Sequence, residues 1–291
     1  MSFKYLRKIP TPDTITGEMP LEPALKKAKE LRDKEIISIF EGKSKKFLVI
    51  IGPCSADDED AVCEYVSRLA KLQAEVADKI VLVPRVYTNK PRTTGQGYKG
   101  MLHQPDPMEE PNIAEGVRAL RRLHIRIIRE SGLTAADEML YPGNYPYLED
   151  LLSYVAIGAR SVENQEHRLT VSGLDIPVGM KNPTSGDLNV MLNSVQAAQL
   201  PHIFIYNGYE VKTAGNRYAH CILRGAINHY GRNIPNYHYE DLVLLAEMYR
   251  ARDLLNLSII VDTNHANSNK VYQEQPRIAM EVLNSIKKSR S

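Results

Sequence analysis

Three cysteines, Cys54, Cys63 and Cys221, are all that the 291 residues contain. They are odd in number, at spacings that match neither a disulfide framework nor paired zinc knuckles, so reduced thiols are expected. No apolar run precedes the prolines of the opening MSFKYLRKIPTPD, and no stretch approaches the roughly 18 uninterrupted apolar residues of a membrane span. A cytoplasmic protein with no membrane partner is therefore expected. An excess of one charge is missing too: 37 Lys+Arg stand against 35 Asp+Glu, a net charge of +2. No overall field draws such a chain to nucleic acid, and any anion must be caught locally. What is present, 43% apolar and 25% charged residues with 17 Gly and 17 Pro, excludes a collagen repeat, a disordered tail and a disulfide-stapled miniprotein.

Organisation follows from apolar patterning. Residues 1–46 read as an amino-terminal arm and a helix over Pro23 to Phe40, where Leu25, Ala28, Leu31, Ile36 and Ile39 fall near helical spacing. That helix either packs on its own core or covers a barrel end or another subunit. From residue 47 to 291 short apolar runs alternate with longer amphipathic segments, the pattern of βα units around a parallel sheet. Seven runs are counted: Phe47 to Gly52, Ile80 to Val86, Thr134 to Glu138, Tyr154 to Ala159, Ile176 to Lys181, His202 to Tyr206 and Leu257 to Asp262. Residues 209–223, around Gly215-Asn216, read as a β-hairpin inserted after the sixth run. The fold class predicted is α/β, a TIM (β/α)8-type barrel in which only seven βα units are found.

Four of the apolar stretches end in a single cation: VLVPR in Arg85, AIGAR in Arg160, PVGMK in Lys181 and CILR in Arg224. Parallel strands open at one face, so the four are expected to converge on one mouth. Their mutual repulsion would then be relieved by an anionic ligand. One such cation alone would more simply be capped by a carboxylate neighbour or reach solvent. The loop YTNKPRTTGQGYKG adds Lys90, Arg92, Thr93 and Thr94, in which a guanidinium fork and hydroxyl donors suit phosphate. Cys54 in IIGPCS and His265 in VDTNHANS carry the ligand types of a divalent transition metal, although a lone buried Cys and a lone satisfied His are each commoner than ligands.

The ordered set IIGPCS, PRVYTNKPRTTGQGYKG, AIGARSVENQEHR, VGMKN, HCILRG and DTNHANS resembles the type I, AroG-like 3-deoxy-D-arabino-heptulosonate-7-phosphate (DAHP) synthases. The resemblance runs from about Ile50 to Lys270. It implies condensation of phosphoenolpyruvate with erythrose 4-phosphate and release of phosphate, the first step of the shikimate pathway and of aromatic amino-acid biosynthesis. It implies Arg85, Lys90 and Lys181 as catalytic residues that hold the phosphoenolpyruvate carboxylate, and Arg160, Arg224 and the Ala159 N–H on its phosphate. Arg92 and Thr93 would hold the sugar phosphate. Cys54 and His265 would bind a divalent metal (Mn, Fe, Co or Zn), and the enzyme would be a homo-oligomer. Glu138, at the end of the third run, is a candidate for handling a water proton or for a structural ion pair.

The family's remaining metal ligands, a Glu from an eighth strand and an Asp beyond it, find no match in these 291 residues. An alternative is therefore a catalytically impaired barrel that binds anionic ligands or assembles with a complete homologue. The related 3-deoxy-octulosonate-8-phosphate synthases are another, though the KPRTT loop favours the heptulosonate enzyme.

Overall fold

A computed structural model describes residues 2–90, 92 and 94–289, which form two compact units. The first comprises Met1–Ile39 and Lys43–Tyr154, the second Phe40–Gly42 and Val155–Ser291.

The first unit begins with α1 (Pro12–Glu18) and α2 (Pro23–Phe40) and continues through β1 (Phe47–Ile51), α3 (Glu59–Val76), β2 (Ile80–Pro84), α4 (Ile113–Ser131) and β3 (Ala136–Glu138). The amino-terminal arm contains α1, a helix ahead of the expected one. Thr11 caps it by accepting from Thr14 N, Pro12 pre-sets the first turn and Asp13 faces the positive end of the helix dipole. The α2 helix packs on its own unit: Ile36 is fully buried, and Arg32 donates to the Leu82 carbonyl at 2.7 Å. β1 and β2 pair in parallel from Phe47 opposite Ile80 to Ile51 opposite Pro84, joined by α3, whose amino end is capped by Asp58. β3 is drawn beside the end of β2 by an Arg85–Ala136 bridge and the Val86 N–H on the Ala136 carbonyl. α4 stops where Gly132 turns left-handed and returns its N–H to Ile128.

The second unit runs β4 (Tyr154–Ile157), α5 (Gln165–Val171), β5 (Val178–Lys181), α6 (Leu188–Gln199), β6 (Ile203–Tyr206), β7 (Tyr209–Lys212), β8 (Ala219–Leu223), β9 (Ala226–Ile227), β10 (Asn233–Ile234), α7 (Tyr239–Arg250), β11 (Ile259–Val261) and α8 (Gln275–Ser289). Its core is a parallel sheet in the order β4, β5, β8, β11. Every residue of β4, β5 and β8 is buried, as expected of a parallel sheet covered on both faces. The protein is thus a parallel-sheet α/β fold. Among the described residues no helix is long and apolar enough to cross a membrane.

The inserted hairpin lies elsewhere than 209–223. It is β6 with β7, Ile203 opposite Lys212, turned at Asn207-Gly208, where both residues have positive φ (50° and 81°). Ala219–Leu223 is instead the third strand of the parallel sheet, so the run at 202–206 is not a strand of that sheet and 219–223 takes its place. Asn-Gly supplies the two left-handed positions that a tight two-residue hairpin needs. Gly215 is left-handed for another reason: a Cβ there would stand 2.2 Å from the Gln199 carbonyl.

Inside β8, His220 is fully buried against the Phe40 ring, with its Nδ1 donating to the Tyr218 carbonyl at 2.8 Å. Burial, offset in part by that carbonyl, pushes its pKa down to about 4. The unfolded chain, with an ordinary His, binds this proton more readily, so stability contributed by neutral His220 is present above about pH 6.5 and is lost as pH falls toward 4. The loss is about 3 kcal/mol across that window. His220→Asn, which keeps a donor for Tyr218, is expected to flatten this part of the melting-temperature profile. Parallel slopes for the two proteins between pH 6.5 and 4 would contradict the assignment.

Candidate active site

In the first unit the chain leaving β1 and β2 carries Cys54, Arg85 and Lys90. Arg85 is fixed by its backbone, with its N–H on the Ile51 carbonyl at 2.8 Å. Its Nε donates to the Pro53 carbonyl at 3.1 Å, and its guanidinium lies 5.2 Å from the Tyr87 ring centroid. Among the described residues no carboxylate forms an ion pair with it. Gly52 is required here, because a Cβ would come within 2.1 Å of the Arg85 carbonyl oxygen. Lys90 directs its ammonium onto Cys54, hydrogen-bonded to the sulfur and 3.4 Å from the carbonyl oxygen. Arg92 is exposed and spends its Nε on the Tyr98 carbonyl at 2.7 Å. Burial, reinforced by Asp57, pushes the Tyr98 hydroxyl up to about 12, so it stays protonated as a donor. Thr93 lies outside the described residues. Glu138 ends β3 half-buried, and among the described residues it forms no ion pair with an arginine.

In the second unit the parallel register brings several of the expected residues to one end of one sheet. Ala159 and Arg160 follow β4, where Gly158 accepts from both Ser161 and Val162 N–H groups; Arg160 itself is exposed. Lys181 closes β5 opposite Ile222, and Arg224 follows β8. Both are nearly buried, at 5% and 8% exposure, which sets them apart from ordinary surface cations. His265 follows β11 in a left-handed conformation (φ 48°), with Nδ1 2.7 Å from Asp262 Oδ2. That contact places a ring proton on Nδ1, facing the carboxylate. Burial alone would raise the Asp262 pKa. The hydrogen bond and charge of His265, the field of Lys181 and the Asn264 N–H outweigh burial and hold the carboxyl well below the usual range.

The expected metal ligands fall in separate units, Cys54 in the first and His265 in the second. Their donor types suit a transition metal, and the Asp262 contact is one that an imidazole ligand takes. A protein-held catalytic metal needs three ligands, and among the described residues no three His, Cys, Asp or Glu side chains gather. The donors described therefore do not by themselves make a metal centre.

Sequence reasoning passed over the polar residues that hold this geometry. Asp137, buried in β3, takes the Thr88 N–H at 3.0 Å and the Thr88 hydroxyl, fixing the chain just before Lys90. Asn182 accepts from the Arg224 N–H at 2.9 Å and donates to the Gly225 carbonyl at 2.9 Å. The available signal was position: Asn182 directly follows Lys181 in VGMKN.

The DAHP synthetase I family profile matches residues 22–289. A Tyr-sensitive phospho-2-dehydro-3-deoxyheptonate aldolase of Salmonella typhimurium is 39% identical over 283 residues, 95% of this chain and 77% of the relative. A phospho-2-dehydro-3-deoxyheptonate aldolase of Corynebacterium glutamicum is 34% identical over 96% of this chain and 75% of its own length. The solved structure of a phospho-2-dehydro-3-deoxyheptonate aldolase from Francisella tularensis superposes with a TM-score of 0.91 at 31% identity, covering 98% of this chain and 83% of that one. With this agreement along nearly its whole length, the chain belongs to the DAHP synthetase I family.

Proposed function

We propose that the chain condenses phosphoenolpyruvate with D-erythrose 4-phosphate, giving 3-deoxy-D-arabino-heptulosonate 7-phosphate and inorganic phosphate. This is a transferase reaction, the entry to the shikimate pathway and to aromatic amino-acid biosynthesis. The observation that carries the reading is the pair Lys181 and Arg224, two nearly buried cations at adjacent parallel strand ends. Cations enclosed in that way favour an anion stripped of its water.

In this reading Lys181, together with Arg85 and Lys90, holds the carboxylate of phosphoenolpyruvate. Arg224 and Arg160, with the Ala159 N–H, hold its phosphate, and Arg92 and Thr93 receive the phosphate of the sugar. Two substrates of like charge repel, and bound cations remove that barrier while fixing orientation. C3 of phosphoenolpyruvate then attacks the aldehyde carbon, water adds at C2, and collapse breaks the C–O bond to the leaving phosphate. Arg224 keeps its charge at any working pH, so the phosphate stays compensated as it departs. The resemblance implies a divalent ion, toward which Cys54 and His265 would be the donors, and such an ion would supply Lewis-acid polarisation of the aldehyde. Assembly as a homo-oligomer is part of the same reading.

The test is phosphate release from pure protein given both substrates and Mn²⁺. Release that requires both substrates is the expected result. No release with Mn²⁺, Fe²⁺, Co²⁺ or Zn²⁺ would overturn the reading and favour the impaired barrel.

A further inference from the structure

We infer that Asn236 is a positioning residue for Arg224, the central member of an asparagine lattice that sets the backbone from which Arg224 projects. The inference rests on the proposed function for the ligand that Arg224 meets, and on the hydrogen bonds alone for the lattice itself.

Three asparagines from three separate segments are joined in the second unit. Asn236 Oδ1 accepts from the Gly225 N–H at 2.7 Å, and its Nδ2 donates to Asn182 Oδ1 at 3.2 Å. Its own N–H donates to Asn267 Oδ1 at 2.9 Å. Asn182, fully buried, holds the Arg224 N–H and the Gly225 carbonyl, each at 2.9 Å. Asn267 closes the other side, its Nδ2 on the Leu223 carbonyl at 3.2 Å and the Asp262 carbonyl at 2.8 Å. The Arg224 carbonyl receives the Ala266 N–H at 3.2 Å. Every backbone polar group from Arg224 N to Gly225 O is therefore engaged, two of the four by Asn182 and one by Asn236. Gly225 is left-handed (φ 75°), and a Cβ there would meet Asn267 N at 2.7 Å, so the lattice is packed without slack.

Asn236 reaches this place because β9 and β10 form a small antiparallel excursion after Gly225, anchored by the Ile227 N–H on the Thr184 carbonyl at 2.8 Å. The returning chain delivers Asn236 back to the residue that the excursion left. Amides suit the position for an electrostatic reason. A carboxylate here would also accept these N–H groups, but its charge would compete with the anion that Arg224 is meant to bind. A neutral amide donates and accepts without neutralising the guanidinium.

The test compares wild type with Asn236→Ala and with Asn236→Asp, which keeps the acceptor for Gly225 N–H, loses the donor to Asn182 and adds a charge. Amide exchange across residues 222–226 is expected to speed up at least tenfold in the alanine variant, with residues 203–212 of the β6–β7 hairpin unchanged. The aspartate variant should recover most of that protection. In turnover, the alanine variant should raise KM for phosphoenolpyruvate about tenfold and leave KM for erythrose 4-phosphate within twofold. Unchanged exchange across 222–226 in both variants would overturn the proposal. So would a fall in kcat that tracks the folded fraction at constant KM, or an equal rise in both KM values. A wild-type protein that releases no phosphate defeats the functional reading, while the exchange measurement still reads the Arg224 backbone without any substrate.

Discussion

Alanine at Lys181 is expected to lower kcat/KM for phosphoenolpyruvate by roughly a thousand-fold, the upper end of what loss of one preorganised charged donor in an enclosed site costs. The expectation follows from where the ammonium sits. At 5% exposure its stem is enclosed, and β5 and β8 fix its Cα opposite Ile222. Water that enters after truncation offers dipoles that must reorganise, whereas the ammonium is already in place. Lys181→Arg is not expected to rescue, since a planar guanidinium on a longer stem needs room that a buried strand end does not provide. Steady-state phosphate release, with a melting curve to confirm folding, measures both variants. Activity of the folded alanine variant within tenfold of wild type would remove Lys181 from the proposed site.

The largest expected effect on stability lies at Arg121. Its side chain is fully buried on α4, pairs with both Asp150 oxygens at 2.6 and 2.7 Å, and donates to the Met19 and Tyr147 carbonyls. One guanidinium thus ties the segment after α1 to the chain beyond Pro142–Tyr147. Arg121→Met keeps much of the packed length but strands Asp150 and two carbonyls. Breaking such a pair from one side costs about 3 kcal/mol, which lowers the melting temperature of a chain this size by roughly 5–10 °C. Asp150→Asn should cost less, because the Asp150 side chain is 36% exposed and water can replace part of what is lost. Equal losses from the two substitutions would argue against this account.

Much of this was legible before any coordinates. The Pro23–Phe40 helix is observed with the expected bounds, because its apolar residues keep helical spacing and a proline opens it. β1 and β2 announce themselves as uninterrupted apolar runs, and β2 is buried from Val81 to Pro84, as a covered parallel strand should be. β8 reads as extended but is assigned to the hairpin, because the histidine in AHCIL breaks the apolar run and only the folded environment shows that this ring is neutral and enclosed. The expected hairpin turn lies eight residues too late because Gly215-Asn216 reads as a turn, while the Asn207-Gly208 pair that makes it stands between the sixth run and the expected hairpin. At the site, the cations were legible because apolar runs do not ordinarily end in charge. Asn236 was not, since a lone asparagine in a loop carries no signal until the β9–β10 excursion returns it to Gly225.

Asparagine side chains gain and lose no proton between mild acid and mild alkali. The framework that aims Arg224 therefore behaves as an inert spacer as the medium changes, its shape the same in acidified and alkaline cells. Any bell-shaped rate curve measured for this enzyme would report on the substrates' own phosphates and on ionisable side chains, and not on these three amides.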